Sequence, residues 1–282
     1  MKFLSIFFSN KKALCGFIIL LIFIIIAIFA PFISPYSPTS KSFLPLERPS
    51  REHILGTDAM GQDIFSQVVW GTRLSLSIGI LTGAITTIIA LVIGLIAGYF
   101  GGVIDNILML ITNTILVIPG LPLMIVIASY FPIRGTGIII LVISLTGWAW
   151  GARVLRSQVL SLKERDFVFS SKMLGENSFH IIFVDILPNM LGIIFANFFG
   201  ATVSAVLSEA GLEFLGLGDV NAVSWGTILF WAQNNMALYL GAWQWIFVPG
   251  LLISLLGLSF ALMNFGVDEI VNPKLRSGGE NL

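Results

Sequence analysis

Apolar side chains fall along this chain in six blocks, separated by shorter stretches in which the charges collect. The blocks run over 13–33, 74–97, 104–130, 137–155, 190–215 and 245–265. About 20 consecutive apolar residues are enough to cross the hydrocarbon layer of a bilayer as a helix. Each block therefore predicts one transmembrane helix, and the chain reads as an all-α, polytopic integral membrane protein with six spans. The first block follows Lys11 and Lys12, as a signal peptide's core would. Its apolar run exceeds the usual 7–15 residues of such a core. Ala30-Pro31-Phe32-Ile33 also puts a proline where a small-x-small cleavage site would lie. We read it as an uncleaved span.

Composition supports the same picture. Hydrophobic types make up 56 % of the 282 residues and charged types 11 %, against about 25 % charged in soluble domains. So few polar side chains cannot cover a water-facing surface. The net charge is zero, and no basic block points to nucleic acid. The single cysteine, Cys15, lies in the first apolar run and reads as buried packing material. Lys and Arg fix the expected orientation. With the N-terminus inside, the inner segments hold Lys2, Lys11, Lys12, Arg153, Arg156, Lys163, Arg165, Lys172, Lys274 and Arg276. The outer segments hold Lys41, Arg48, Arg51, Arg73 and Arg134. Ten against five is the positive-inside bias and places both termini in the cytoplasm.

Three connecting segments stand out. Residues 34–73 form an outer segment rich in Pro and Ser at first. Residues 216–244 form an outer loop whose Trp225, Trp231 and Trp243 fit a membrane interface. Residues 156–189 form the largest inner loop and read as two short helices broken at Gly175. Leu160, Phe167, Met173 and Leu174 are available for one side of the first. Gly175 can take a positive φ and end it, and Asn177 or Ser178 can cap the next. Pro188 is expected to force a bend before the fifth span. Two readings of this loop stand side by side: an amphipathic element lying on the membrane surface, or a knob for a cytoplasmic partner.

The same loop resembles the signature of binding-protein-dependent ABC-transporter permeases. That signature is Glu-Ala-Ala, three residues, Gly, nine residues, then hydrophobic-x-Leu-Pro. Phe169-Ser170-Ser171, Gly175 and Leu187-Pro188 keep the spacing, while Phe169, the two serines and Asp185 depart in type. His53-Ile54-Leu55-Gly56-Thr57-Asp58-Ala59-Met60-Gly61-Gln62-Asp63 resembles a stretch of the dipeptide/oligopeptide/nickel permease branch, which has Arg at the Gln62 place. Trp70 to Leu76, Gly98 to Gly102, Ile118-Pro119-Gly120, Phe214 to Gly218, Ser224-Trp225-Gly226 and Asn272 to Arg276 extend the resemblance in order along nearly the whole chain.

The resemblance implies a type-1 (MetI-like) ABC permease fold and the role of second permease in a pair. It divides the chain into an N-terminal span and extracytoplasmic segment (1–72), the transmembrane domain (73–265) and a cytoplasmic tail (266–282). It implies four kinds of contact: a second permease subunit, two cytoplasmic ATP-binding subunits, an extracytoplasmic substrate-binding protein and membrane lipid. Substrates of that branch are peptides, nickel complexes or other small solutes. The coupling loop would comprise Glu164, Asp166, Phe167, Phe169, Ser170, Ser171, Leu174, Gly175, Leu187 and Pro188. No G-x-x-x-x-G-K-[ST] phosphate loop occurs, so ATP and Mg are expected on the partner subunits, with no cofactor on this chain and no catalytic cluster.

Candidates for the path come from polar and kinked positions. Asn113 and Pro119 lie in the third block, where proline permits either a flexing joint or a static kink. Glu209 and, one turn on, Glu213 lie in the outer part of the fifth. A carboxylate there is either a pathway or partner residue, or is solvated among the headgroups. Asn197 could line a path or join two helices. Gly94 and Gly98 read as helix packing. The two histidines, His53 and His180, fall on opposite sides and cannot share a metal. A self-sufficient secondary transporter is the competing reading, but ionisable residues near the midplane are scarce.

Overall fold

The computed structural model describes residues 7–132 and 134–271, and these residues are helical with no named strand. We number the helices α1 Lys11–Ile33, α2 Ile64–Phe100, α3 Gly102–Val117, α4 Gly120–Ser129, α5 Thr136–Lys163, α6 Asp166–Met173, α7 Leu191–Phe214, α8 Trp225–Asn234 and α9 Gln244–Val271. Five helical stretches are long and apolar enough to cross a membrane, and a sixth arises if α3 and α4 count together. The all-α, six-span reading therefore holds. The tail motif Asn272 to Arg276, with Lys2, Lys274 and Arg276 of the charge argument, lies outside the described residues.

Span boundaries differ from the apolar blocks because caps and packing set them. The second helix begins at Ile64, well before 74. Asp63 caps it, accepting from the Ser66 amide at 2.7 Å and the Ser66 hydroxyl at 2.6 Å. The fourth runs past 155 to Lys163 without a proline to stop it. Asn10 caps α1 by accepting from the Ala13 amide. Cys15, expected to be buried, is exposed on α1.

The third block is not one straight helix. α3 and α4 meet at 93°. Ile118 is extended (φ −78°, ψ 130°) and Pro119 continues so (ψ 122°). A residue before proline is pushed out of the α region, and proline itself offers no amide to the ladder. The break follows directly from Ile118-Pro119.

Helix α2 is the centre of the bundle, in contact with α1, α3, α5, α7, α8 and α9. It crosses α5 closely where Gly94 and Gly98 lie. A Cβ on Gly94 would sit 2.9 Å from the Leu155 Cβ, and one on Gly98 2.7 Å from the Val159 Cβ. Small residues here let the two backbones approach.

At one end of the bundle, residues 34–63 fold over the start of α2. His53 is buried against the Tyr36 and Phe43 rings, and its Nδ1 pairs with the Asp63 carboxylate at 2.9 Å. At the other end lie the α5–α6 corner and the segment leading into α7.

Candidate functional site

Two features at different depths are candidates for function: a knob at the α5–α6 end and a groove midway along the bundle. The knob is built from the tip of α5, from α6 and from residues 178–190. Helix α6 ends with the two hydrogen bonds of a glycine stop. The Glu176 amide donates to the Ser171 carbonyl, and the Gly175 amide to the Lys172 carbonyl. That geometry needs the left-handed backbone that Gly175 adopts (φ +82°). Asn177 then caps the next turn, accepting from the His180 amide at 2.8 Å.

From there the chain runs as one helical stretch, Ser178–Phe214. Pro188 does not interrupt it. The hydrogen-bond register shifts instead, from a wide turn over Ile181–Ile186 to a tight one over Leu187–Met190, and this absorbs the missing proline amide.

The knob has an inside and an outside. Val168, Ile181, Ile186 and Met190 are buried against Leu155, Val159 and Leu162 of α5 and Leu95 and Tyr99 of α2. Lys163 Nζ donates to the Tyr99 carbonyl at 2.5 Å, tying the α5 tip to α2. The face made of Phe167, Met173 and Leu174 points outward, and Val168 makes the inner contact instead. Leu174 is 82 % exposed and Phe169 63 %. Phe167, Met173, Phe179 and Phe183 extend the same apolar crown. Glu164, Asp166, Ser170, Gly175 and Pro188 are exposed, with Ser171 and Leu187 half-buried. Ser170 donates back to the Asp166 carbonyl and Ser171 to that of Phe167.

Beside the knob, Arg156 holds Asp105 through two hydrogen bonds of 2.5 Å, Nε to Oδ1 and Nη2 to Oδ2. This pair joins α3 to α5, and both side chains are partly open to solvent. Asp105→Asn is expected to destabilise the fold by about 1 kcal/mol. Thermal unfolding in detergent measures it; an unchanged midpoint would mean that the pair adds nothing.

The groove lies between α2, α5, α7 and α9 and encloses about 420 Å³. Thr86, Trp148, Trp150, Gly151, Asn197, Ser204 and Asn264 are among its walls. Asn197 donates to the Thr87 hydroxyl at 3.3 Å, so it joins two helices while also facing the groove. The Thr86 hydroxyl and the Asn264 carbonyl oxygen are buried without a hydrogen-bond partner.

The other path candidates lie elsewhere. Asn113 is exposed and accepts from Arg153 Nη2 at 2.6 Å. Pro119 sits at the α3–α4 joint. Glu209 is fully buried nearer the α8 end, not solvated, and Glu213 is 1 % exposed. Ser75 Oγ donates to Glu209 Oε1 at 3.1 Å and accepts from the Trp225 amide at 3.1 Å. Ser224 donates to Glu213 and caps α8. These contacts clamp α8 onto α2 and α7. Trp225, expected at the interface, is fully buried in the clamp, while Trp231 is half-buried and Trp243 exposed. The sequence reading passed over Thr86, Trp150, Ser204 and Asn264, because a single polar residue in an apolar run carries no sign of what it faces.

Residues 90–277 match the family described as "Binding-protein-dependent transport system inner membrane component". Residues 2–49 match "N-terminal TM domain of oligopeptide transport permease C". The chain is 36 % identical over 273 residues to the dipeptide transport system permease protein DppC of Bacillus subtilis, covering 95 % of this chain and 83 % of that protein. It is 35 % identical over 272 residues to the oligopeptide transport system permease protein OppC of the same organism, covering 96 % and 88 %. It is 34 % identical over 286 residues to the dipeptide permease DppC of Haemophilus influenzae, covering 98 % and 95 %.

Proposed function

Because the chain belongs to the family of binding-protein-dependent transport system inner membrane components, we propose that it is the second permease of an ATP-driven peptide importer. The names of its relatives support peptides as the substrate class. In this reading a partner permease completes the path, two cytoplasmic subunits bind ATP and Mg, and an extracytoplasmic protein delivers the peptide. In the same reading the protein sits in the plasma (inner) membrane with both termini cytoplasmic, which the ten-against-five bias of Lys and Arg supports. The working unit is 73–265, preceded by the first span and outer segment (1–72) and followed by the tail (266–282).

The observation that carries the proposal is the knob. Its underside is packed into the bundle while its crown leaves large apolar side chains uncovered. Charged residues interleave with that crown, among them Glu164, Arg165, Asp166, Lys172 and Glu176. They hold it at the water side of the membrane, where a partner's groove can cover it. The knob is the site at which ATPase motion enters this chain.

Purification in mild detergent tests this: the ATP-binding subunits are expected to come with the chain, and the reconstituted complex to take up peptide only with ATP. Uptake by this chain alone would replace the reading with that of a self-sufficient transporter. The α3–α4 joint is proposed to flex during gating. Pro119→Ala restores an amide and lifts the steric restriction on Ile118, which lets α3 and α4 join as one helix, so peptide uptake is expected to fall several-fold. Unchanged uptake would make the joint a static kink.

A further inference from the structure

The groove between α2, α5, α7 and α9 has thirteen lining residues, and none is charged. Its volume, about 420 Å³, falls in the range of small-ligand sites. Its polarity comes from amides and hydroxyls: Thr86, Asn197, Ser204 and Asn264. Thr86 is 4 % exposed, and its hydroxyl has no partner within the protein; nor has the Asn264 carbonyl oxygen. A buried polar atom left unpaired is unfavourable, and more so at membrane depth. Thr86 on α2 and Asn264 on α9 both line the groove, but these two polar atoms are closed off from it by their neighbours.

An asparagine side chain offers one donor group and one acceptor group, the same pair that every peptide unit offers. Trp150, Val154 and Ile193 supply apolar wall between the polar groups. A wall without fixed charge applies no Coulombic preference between an acidic and a basic side chain, so it discriminates little between peptides of opposite charge.

We propose that this groove is the transit site for peptides and that it engages their backbone amides, leaving side-chain charge unread. The proposal rests on the reading of the chain as a peptide permease. In the groove Asn197 and Ser204 act as substrate-contacting residues, and neutrality is the property that keeps the site permissive between acidic and basic side chains.

The intact transporter in proteoliposomes, with its partner permease, ATPases and binding protein, tests this on Ala-Ala-Ala, Ala-Glu-Ala and Ala-Lys-Ala. Each variant is compared with wild type for each peptide, which cancels the preference of the binding protein. Asn197→Asp is expected to lower uptake of the acidic peptide about tenfold relative to the basic one, because a fixed charge then faces a mobile one at close range. Ser204→Lys is expected to skew uptake the other way. Equal changes for all three peptides in both variants would overturn the proposal. A conservative probe stands beside them: Ser204→Cys in a Cys15→Ser background. It is expected to react with a charged, water-soluble thiol reagent in membranes and to be protected by saturating Ala-Ala-Ala. A thiol that never reacts, or reacts without protection, marks a packing gap or a water-filled one. Wild type that moves no peptide sinks the peptide-permease reading itself. Wild type that moves peptides while the variants show no charge skew sinks only the groove.

Discussion

Aspartate at both Phe169 and Leu174 is expected to lower ATPase co-purification and ATP-driven uptake at least about a hundredfold, with the chain's own stability almost unchanged. The two halves of this expectation come from the same exposures, 63 % and 82 %. Side chains so uncovered contribute nothing to the buried cluster beneath them, where Val168, Ile181 and Ile186 sit. Surface changes of this kind shift stability by about 0.5 kcal/mol or less. Against a partner the account reverses. Covering a large apolar side chain contributes about 1.5–3 kcal/mol, and two are lost together. Since about 1.4 kcal/mol is tenfold in affinity, a hundredfold loss is the low end. The measurement is the yield of ATP-binding subunits on the purified chain, beside thermal unfolding of the chain alone. Full retention of the subunits would remove the knob as the docking point. A collapse in stability would mean that the crown belongs to the fold.

The largest effect on stability is expected from Trp225→Ala. This side chain is fully buried, its ring meets the Phe23 ring edge-on at 5.6 Å, and its Nε1 donates to the Val68 carbonyl at 3.2 Å. It also anchors the clamp through its backbone amide on Ser75. Truncating a buried aromatic to alanine destabilises by about 3–5 kcal/mol. Trp225→Phe keeps most of the ring and loses the indole donor, for about 1 kcal/mol. The order wild type, Phe, Ala in detergent unfolding midpoints is the expected result, with early proteolysis between 216 and 243 in the alanine variant. Equal midpoints for Phe and Ala would show that the indole hydrogen bond, not the packing, holds α8.

How far the sequence was legible depends on the range of the interaction. Apolar block length is a local property, and it located six crossings. Ends are set by neighbours, and there it erred. Arg153, Arg156 and Lys163 look like the start of an aqueous loop, yet α5 runs through them. Each finds a partner within the bundle: Asn113, Asp105 and the Tyr99 carbonyl respectively. Gly175 and Asn177 were legible because a left-handed glycine and a side-chain cap act within a few residues. Pro119 announced a break, but no sequence rule supplies its angle.

Glu209 shows the opposite limit. Whether it is solvated or enclosed depends on Ser75, 134 positions away. The groove is harder still, since its walls come from four helices. Each contributes one or two polar atoms to a space that exists only after packing. The knob's periphery was recognisable by its spacing, while the sequence left open which way its apolar side faces: Phe167, Met173 and Leu174 are exposed, and Val168 holds the inward side.

Helix α5 carries both features on a single unbroken rod. Gly147, Trp148, Trp150, Gly151 and Val154 wall the groove, and Lys163 ends the same helix at the knob. The twelve-residue interval from Gly151 to Lys163 is about 18 Å at 1.5 Å per residue, and no proline interrupts it. Rigid coupling of this kind fixes a stroke ratio: a swing of about 5° pivoted at Gly151 carries the tip sideways by about 1.6 Å over that 18 Å lever. If α5 moves as one body, a displacement at the knob end is carried to the groove wall at that ratio.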